Sequence, residues 1–158
     1  MKKLMITAAA ILMSASVFAE KIGYVNSQEA FMKYSKTKVV QENLVKQKDK
    51  LENQIREKEV VLQKAQLELQ SKGKKVTKEE KQNFQKKVDS FQKFVRDSET
   101  KLSKEQFTRM QEIDATMNKA IKTVAKDGKY DYILEAGALK YGGTDITGDV
   151  LKEMEKTK

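Results

Sequence analysis

Cysteine, histidine, proline and tryptophan are all missing from the 158 residues of this chain. Without cysteine there is no disulfide framework and no thiol for a lipid anchor. With histidine missing as well, nucleophile–base pairs and the common zinc sites are both excluded. Glycine is scarce, and between Gln28 and Lys126 the only one is Gly73. With no proline either, that stretch contains almost nothing that interrupts a helix. What the chain has in quantity is charge: 35% of its residues are ionisable, with a net charge of +9.

The ends differ from the middle. Lys2 and Lys3 precede an apolar run from Leu4 to Val17 and a small-x-small pattern, Val17-Phe18-Ala19. This reads as a secretory signal cleaved after Ala19, because a spanning helix needs about 20 apolar residues and firmer flanks. The positive excess sits in residues 33–126, whereas residues 127–158 hold seven acids against five lysines. From Ser71 to Lys87 there are seven lysines and two glutamates, the most basic place on the molecule.

Through the long middle, apolar residues recur at alternating steps of three and four. Leu44, Leu51 and Ala65 alternate with Ile55, Leu62 and Leu69, and Phe84, Val88, Phe91, Val95 and Leu102 continue the pattern. So narrow a stripe specifies helix against helix, not helix against a broad core. Gly73 suits a left-handed helix terminus, and Thr77 with Glu80 has capping-box spacing. The spacing therefore predicts an antiparallel coiled-coil hairpin over 33–126, with its tip at about 71–78 and arms roughly 60 Å long. Lys48 and Lys58 occupy seam positions and weaken it. Beyond Leu102 the stripe runs through Gln106, Met110, Ile113, Met117, Ala120 and Val124, an eleven-residue step that unwinds the supercoil. Ile121 and Phe107 widen the face there.

Residues 20–32 and 127–158 remain for a body. Lys21 to Asn26 reads as a strand, with Asn26 or Ser27 capping a first helix and Glu29 completing a box. Ala30, Phe31 and Tyr34 are expected to pack the helix base against the body. After Asp127-Gly128, residues 130–136 alternate as a strand, residues 138–141 form a second one closed by Gly142-Gly143, and Asp145 or Thr147 caps a last helix through Val150, Leu151 and Met154. So small a body rarely stands alone without disulfides or metal, which leaves oligomerisation. The fold class is α+β: a small β body completed by copies of itself, with one helical hairpin per subunit. Ile22, Tyr24, Val25, Tyr132, Ile133, Leu134, Leu139 and Tyr141 are the candidate assembly residues.

No catalytic, cofactor or metal site is expected, and the chain reads as no enzyme. Residues 137–144 superficially resemble a phosphate loop, but Gly143 stands where the lysine is required. Most carboxylates interleave with lysines on solvated helix faces; Asp145 and Asp149 favour a helix N-terminus. The tip lysines Lys72, Lys74, Lys75 and Lys78 suit acidic polypeptide or an anionic envelope lipid. Nucleic acid is not an expected partner, since no base-stacking aromatic lies by the tip. Phe94 lies off the main stripe and is the candidate apolar contact.

Lys21-Ile-Gly-Tyr-Val-Asn26, then Tyr132-Ile-Leu-Glu-Ala-Gly-Ala-Leu-Lys-Tyr141 and Asp145-Ile-Thr-Gly-Asp-Val-Leu151, resemble the OmpH-like (Skp) family of periplasmic chaperones. The resemblance covers the chain in order and length. It implies a homotrimer whose strands share a β body and whose hairpins surround a cavity. It further implies that the cavity holds unfolded outer-membrane β-barrel proteins without ATP, and it carries no catalytic residue. The rival reading is a structural or adaptor coiled coil that docks one folded partner.

Overall fold

The computed structural model describes residues 20–157, so the signal segment expected over 1–19 lies outside the described residues. The order is β1 (Ile22–Val25), α1 (Ser27–Lys33), α2 (Ser35–Lys72), a 3-10 turn (Gly73–Lys75), α3 (Lys78–Asp127), β2 (Tyr132–Glu135), a second 3-10 turn (Ala136–Ala138), β3 (Thr144–Asp145) and α4 (Thr147–Glu155). The class is α+β. Helices α2 and α3 lie antiparallel, and the 38 residues of α2 extend about 57 Å.

The turn between them is fixed locally. Gly73 takes a φ of 51°, which a side chain would strain. Thr77 Oγ1 accepts from the Glu80 N–H at 3.2 Å while the Glu80 carboxylate accepts from the Thr77 N–H at 2.9 Å, a complete capping box. Lys72 closes the tip by pairing with Glu80.

Along the arm the seam residues from Leu44 to Leu69 and from Phe84 to Leu102 are only half-buried, because two helices cannot enclose one another. Both seam lysines stay exposed. Lys48 points out towards Glu52 at 3.8 Å, and Lys58 turns its ammonium over the Phe94 ring, 4.8 Å from the centroid. Two expectations fail past Leu102. Gln106 is exposed, and the seam passes through half-buried Glu105, which accepts from Gln47 Nε2 at 3.0 Å. Phe107 does not widen the buried face; it is 63% exposed. The stripe drifts there, carrying positions two residues past the seam round to solvent.

Full burial begins at the base of the arm. Ile113, Met117 and Ala120 of α3 join Val25, Ala30, Tyr34, Ile146, Val150 and Met154 in one core. α1 stops at Lys33 because Tyr34 takes an extended ψ of 126°, and α2 starts at Ser35. That break was not expected from the sequence.

The sheet order is β2-β1-β3, with both pairings parallel. Parallel neighbours need a crossover; here the entire arm is the crossover from β1 to β2. The strand expected at 138–141 is not formed. Gly142 and Gly143, at φ of 84° and 82°, turn the chain so that Thr144 and Asp145 pair with Gly23 and Tyr24. A Cβ on Gly143 would stand 3.1 Å from Leu139 Cδ2, so Leu139 packs across the turn and does not extend a strand.

Candidate functional site

Strand parity sorts the body residues into two faces. Ile22 pairs with Tyr132 and Tyr24 with Leu134, so these four side chains share one face of the sheet. Val25 and Ile133 turn the other way, Val25 into the core and Ile133 against it. No described helix covers the first face: Tyr132 is 54% exposed and Leu134 37%. Tyr141, on the loop beside it, is 96% exposed, while Leu139 is half-buried. Strand β2 is also an edge, with one row of backbone groups unpaired among the described residues. An apolar face ending in an open edge is a surface shaped for more β structure.

The arm presents a different surface. Val39, Val45, Val60, Val61, Leu67 and Phe107 are exposed on helices whose other outward residues are mostly charged or polar. Phe94, the expected apolar contact, is half-buried beneath Lys58. At the tip, Lys74, Lys75 and Lys78 are exposed. Lys72 is engaged: its hydrogen bond to Glu80, then the charge of that carboxylate, holds its pKa above the ordinary value. Glu80 is lowered in turn, first by Lys72 and then by the Thr77 N–H. Three of the four candidate lysines thus have no ion pair among the described residues. The exposed valines escaped sequence reasoning because they fall outside the three-four stripe and carry no motif.

Two carboxylates of the body tie down helix starts, one within the body and one at the foot of the arm. Ser27, first residue of α1, donates its N–H to Glu135 at 3.0 Å and its hydroxyl at 2.6 Å. Ser35, first residue of α2, donates its N–H to Glu155 at 2.8 Å and its hydroxyl at 2.5 Å. Each carboxylate comes from more than a hundred residues away and caps a helix start. Asn26 is also tied across the body: its N–H donates to Thr147 Oγ1 at 2.9 Å, so Glu29 does not complete the expected box and pairs with Lys33 instead. Asp145 accepts from the Thr147 N–H at 2.9 Å, and this bond, with the Thr147 hydroxyl next, depresses its carboxyl pKa. Tyr34 is fully buried beside this joint, and burial, then the Glu155 charge, raises its phenol pKa.

Among the described residues no cluster of acids is arranged to hold a metal, and no helix is long and apolar enough to cross a membrane. The family described as outer membrane protein (OmpH-like) matches residues 21–154. The chain belongs to the OmpH-like family. It is similar to the chaperone protein Skp of Photorhabdus laumondii, 31% identical over 172 residues, covering 98% of this chain and 100% of that protein. It is also similar to the chaperone protein Skp of Yersinia enterocolitica, 28% identical over 166 residues and covering 92% and 93% of the two chains. The fold matches the crystal structure of an OmpH-like outer membrane chaperone from Caulobacter crescentus with a TM-score of 0.76, at 14% identity, over 89% of this chain and 86% of that one. These OmpH-like relatives are chaperones, not enzymes.

Proposed function

We propose that this OmpH-like protein is an ATP-independent periplasmic holdase, exported by a signal peptide cleaved after Ala19, that keeps unfolded outer-membrane β-barrel proteins from aggregating. The observation that carries the reading is the arm. It is about 57 Å long, its seam is half-buried at Leu44 to Leu69 and at Phe84 to Leu102, and six large apolar side chains stand exposed among its charges. A barrel protein outside its membrane exposes alternating apolar residues and unpaired strand edges, which associate readily. Many weak apolar contacts along a charged helix pair can shield such a chain without imposing a fold on it.

The uncovered sheet face supports self-assembly into a homotrimer, in which Ile22, Tyr24, Tyr132, Leu134 and Tyr141 are buried between copies and the arms surround a common space. The free tip lysines Lys74, Lys75 and Lys78 add attraction for acidic segments or an anionic envelope lipid. The test is light scattering of a denatured outer-membrane barrel protein diluted into buffer. A holdase suppresses scattering at near-stoichiometric ratio without nucleotide; an adaptor for a folded partner leaves it unchanged, and that result sinks the proposal. Neutralising the three free lysines should reduce capture at low salt more than at high salt.

A further inference from the structure

We propose that Glu155 is a latch that fixes the foot of α2, making it the positioning residue that sets how far the arm opens. The inference rests on the holdase reading for its purpose, but its geometry is independent of any client. The two helices of the arm enter the body differently. α3 runs unbroken from the tip to Asp127, and its Ile113, Met117 and Ala120 are buried in the core. α2 stops at Tyr34, where the extended backbone interrupts the helical hydrogen-bond ladder. A helix pair fixed at one foot can tilt and slide; fixed at both feet it behaves as a truss.

Two kinds of contact hold the foot of α2. Tyr34 and Thr37 are buried, but both hydroxyls are without a hydrogen-bond partner among the described residues, so their packing is non-directional. Glu155 supplies the directional part, with both oxygens engaged by the N–H and hydroxyl of Ser35. Hydrogen bonds to a carboxylate are shorter and roughly twice as strong as neutral ones, and this pair orients the first turn of α2 against α4. The lever is long. A rotation of about 10° at Tyr34 carries a tip about 57 Å away through about 10 Å.

The natural chain has no cysteine, so spin labels at Lys75→Cys on the tip and Lys152→Cys on α4 report the arm angle, in labelled chains diluted with unlabelled ones. With no client present, Glu155→Ala, which can accept from neither the N–H nor the hydroxyl of Ser35, should broaden the distance distribution by about 10 Å, the lever just described. Ser35→Ala should broaden it less, and Ser35→Thr, which keeps the hydroxyl, should return the parent distribution. Glu153→Gln removes a charge from the same turn, where the carboxylate pairs with Lys156, and should change nothing. Equal broadening by Glu153→Gln, or an unchanged distribution in Ser35→Ala and Glu155→Ala, overturns the latch. If Glu155→Ala does not fold, the Ser35→Ala and Ser35→Thr pair decides. Failure of the parent chain to suppress scattering would instead sink the holdase reading and leave the latch standing.

Discussion

Replacing Tyr141 by alanine separates a residue that stabilises its own chain from one that waits for another copy. Tyr141 is 96% exposed, so within one chain it contributes almost no packing. Burying an aromatic ring of about 150 Å² at about 25 cal/mol per Å² is worth about 4 kcal/mol. Ordering and imperfect pairing at an interface consume a large share of such a gain, so we take about 2 kcal/mol per copy. In the proposed homotrimer three copies then lose about 6 kcal/mol, which is about four decades in its dissociation constant at about 1.4 kcal/mol per decade. Sedimentation equilibrium at micromolar concentration reads this directly, and circular dichroism at high concentration checks that the helices persist. A Tyr141→Ala protein that associates within about threefold of the parent would refute the argument, because four decades were expected. It would show that the exposed sheet face is not where copies meet.

Three further perturbations test the joint, the body and the arm. Tyr34→Phe removes a buried hydroxyl without a partner among the described residues and keeps the ring, so unfolding stability should be unchanged or up to about 1 kcal/mol higher; a loss above about 2 kcal/mol would mean the hydroxyl is bonded in solution. The depressed pKa of Asp145 stabilises the fold above the unfolded value of about 3.9 and is lost as pH falls through the lower folded value. Melting temperatures of Asp145→Asn should therefore fall less steeply with acid than those of the parent, and parallel curves would reject the linkage. Gln47 meets Glu105 and Lys58 meets Phe94, so deleting residues 51–57 with 95–101 removes facing heptads and shortens the arm by about 10 Å. Self-association should survive this deletion while protection of the largest barrel proteins falls; loss of association would contradict the separation of arm from body.

The arm was legible in the sequence because its cause is periodic. Leu44 to Leu69 and Phe84 to Leu102 repeat every three or four residues, and Thr77 with Glu80 announces the return helix within four residues. What stayed hidden depends on distant partners. The break at Tyr34 has no proline or glycine to mark it, and the carboxylate that caps Ser35 lies at Glu155. Residues 138–141 carry strand composition, but the paired glycines that follow rotate Thr144 and Asp145 into the sheet in their place. For the candidate site, alternation put Tyr132 and Leu134 on one side of a strand. Which side met the core was decided by α4 and the residue before it: Ile146 and Val150 join Val25 in the core, and the tyrosine face is left open.

The parallel sheet explains why one chain serves as both frame and limb. β1 and β2 are neighbours, and everything between them is the arm, so neither strand pairs unless α2 and α3 return together. A client pulling on the tip therefore loads the β1–β2 pair through two routes, α3 by its buried base and α2 by the Ser35–Glu155 contact. Apolar packing at the base of α3 resists separation but tolerates sliding, whereas two hydrogen bonds to one carboxylate resist both until they break. Compliance then concentrates in the half-buried seam and in the sliding contact at the base of α3, and the sheet, whose uncovered face is the proposed assembly surface, is spared. In the proposed holdase, that division would let the arms accommodate clients of different size while the body keeps a single register.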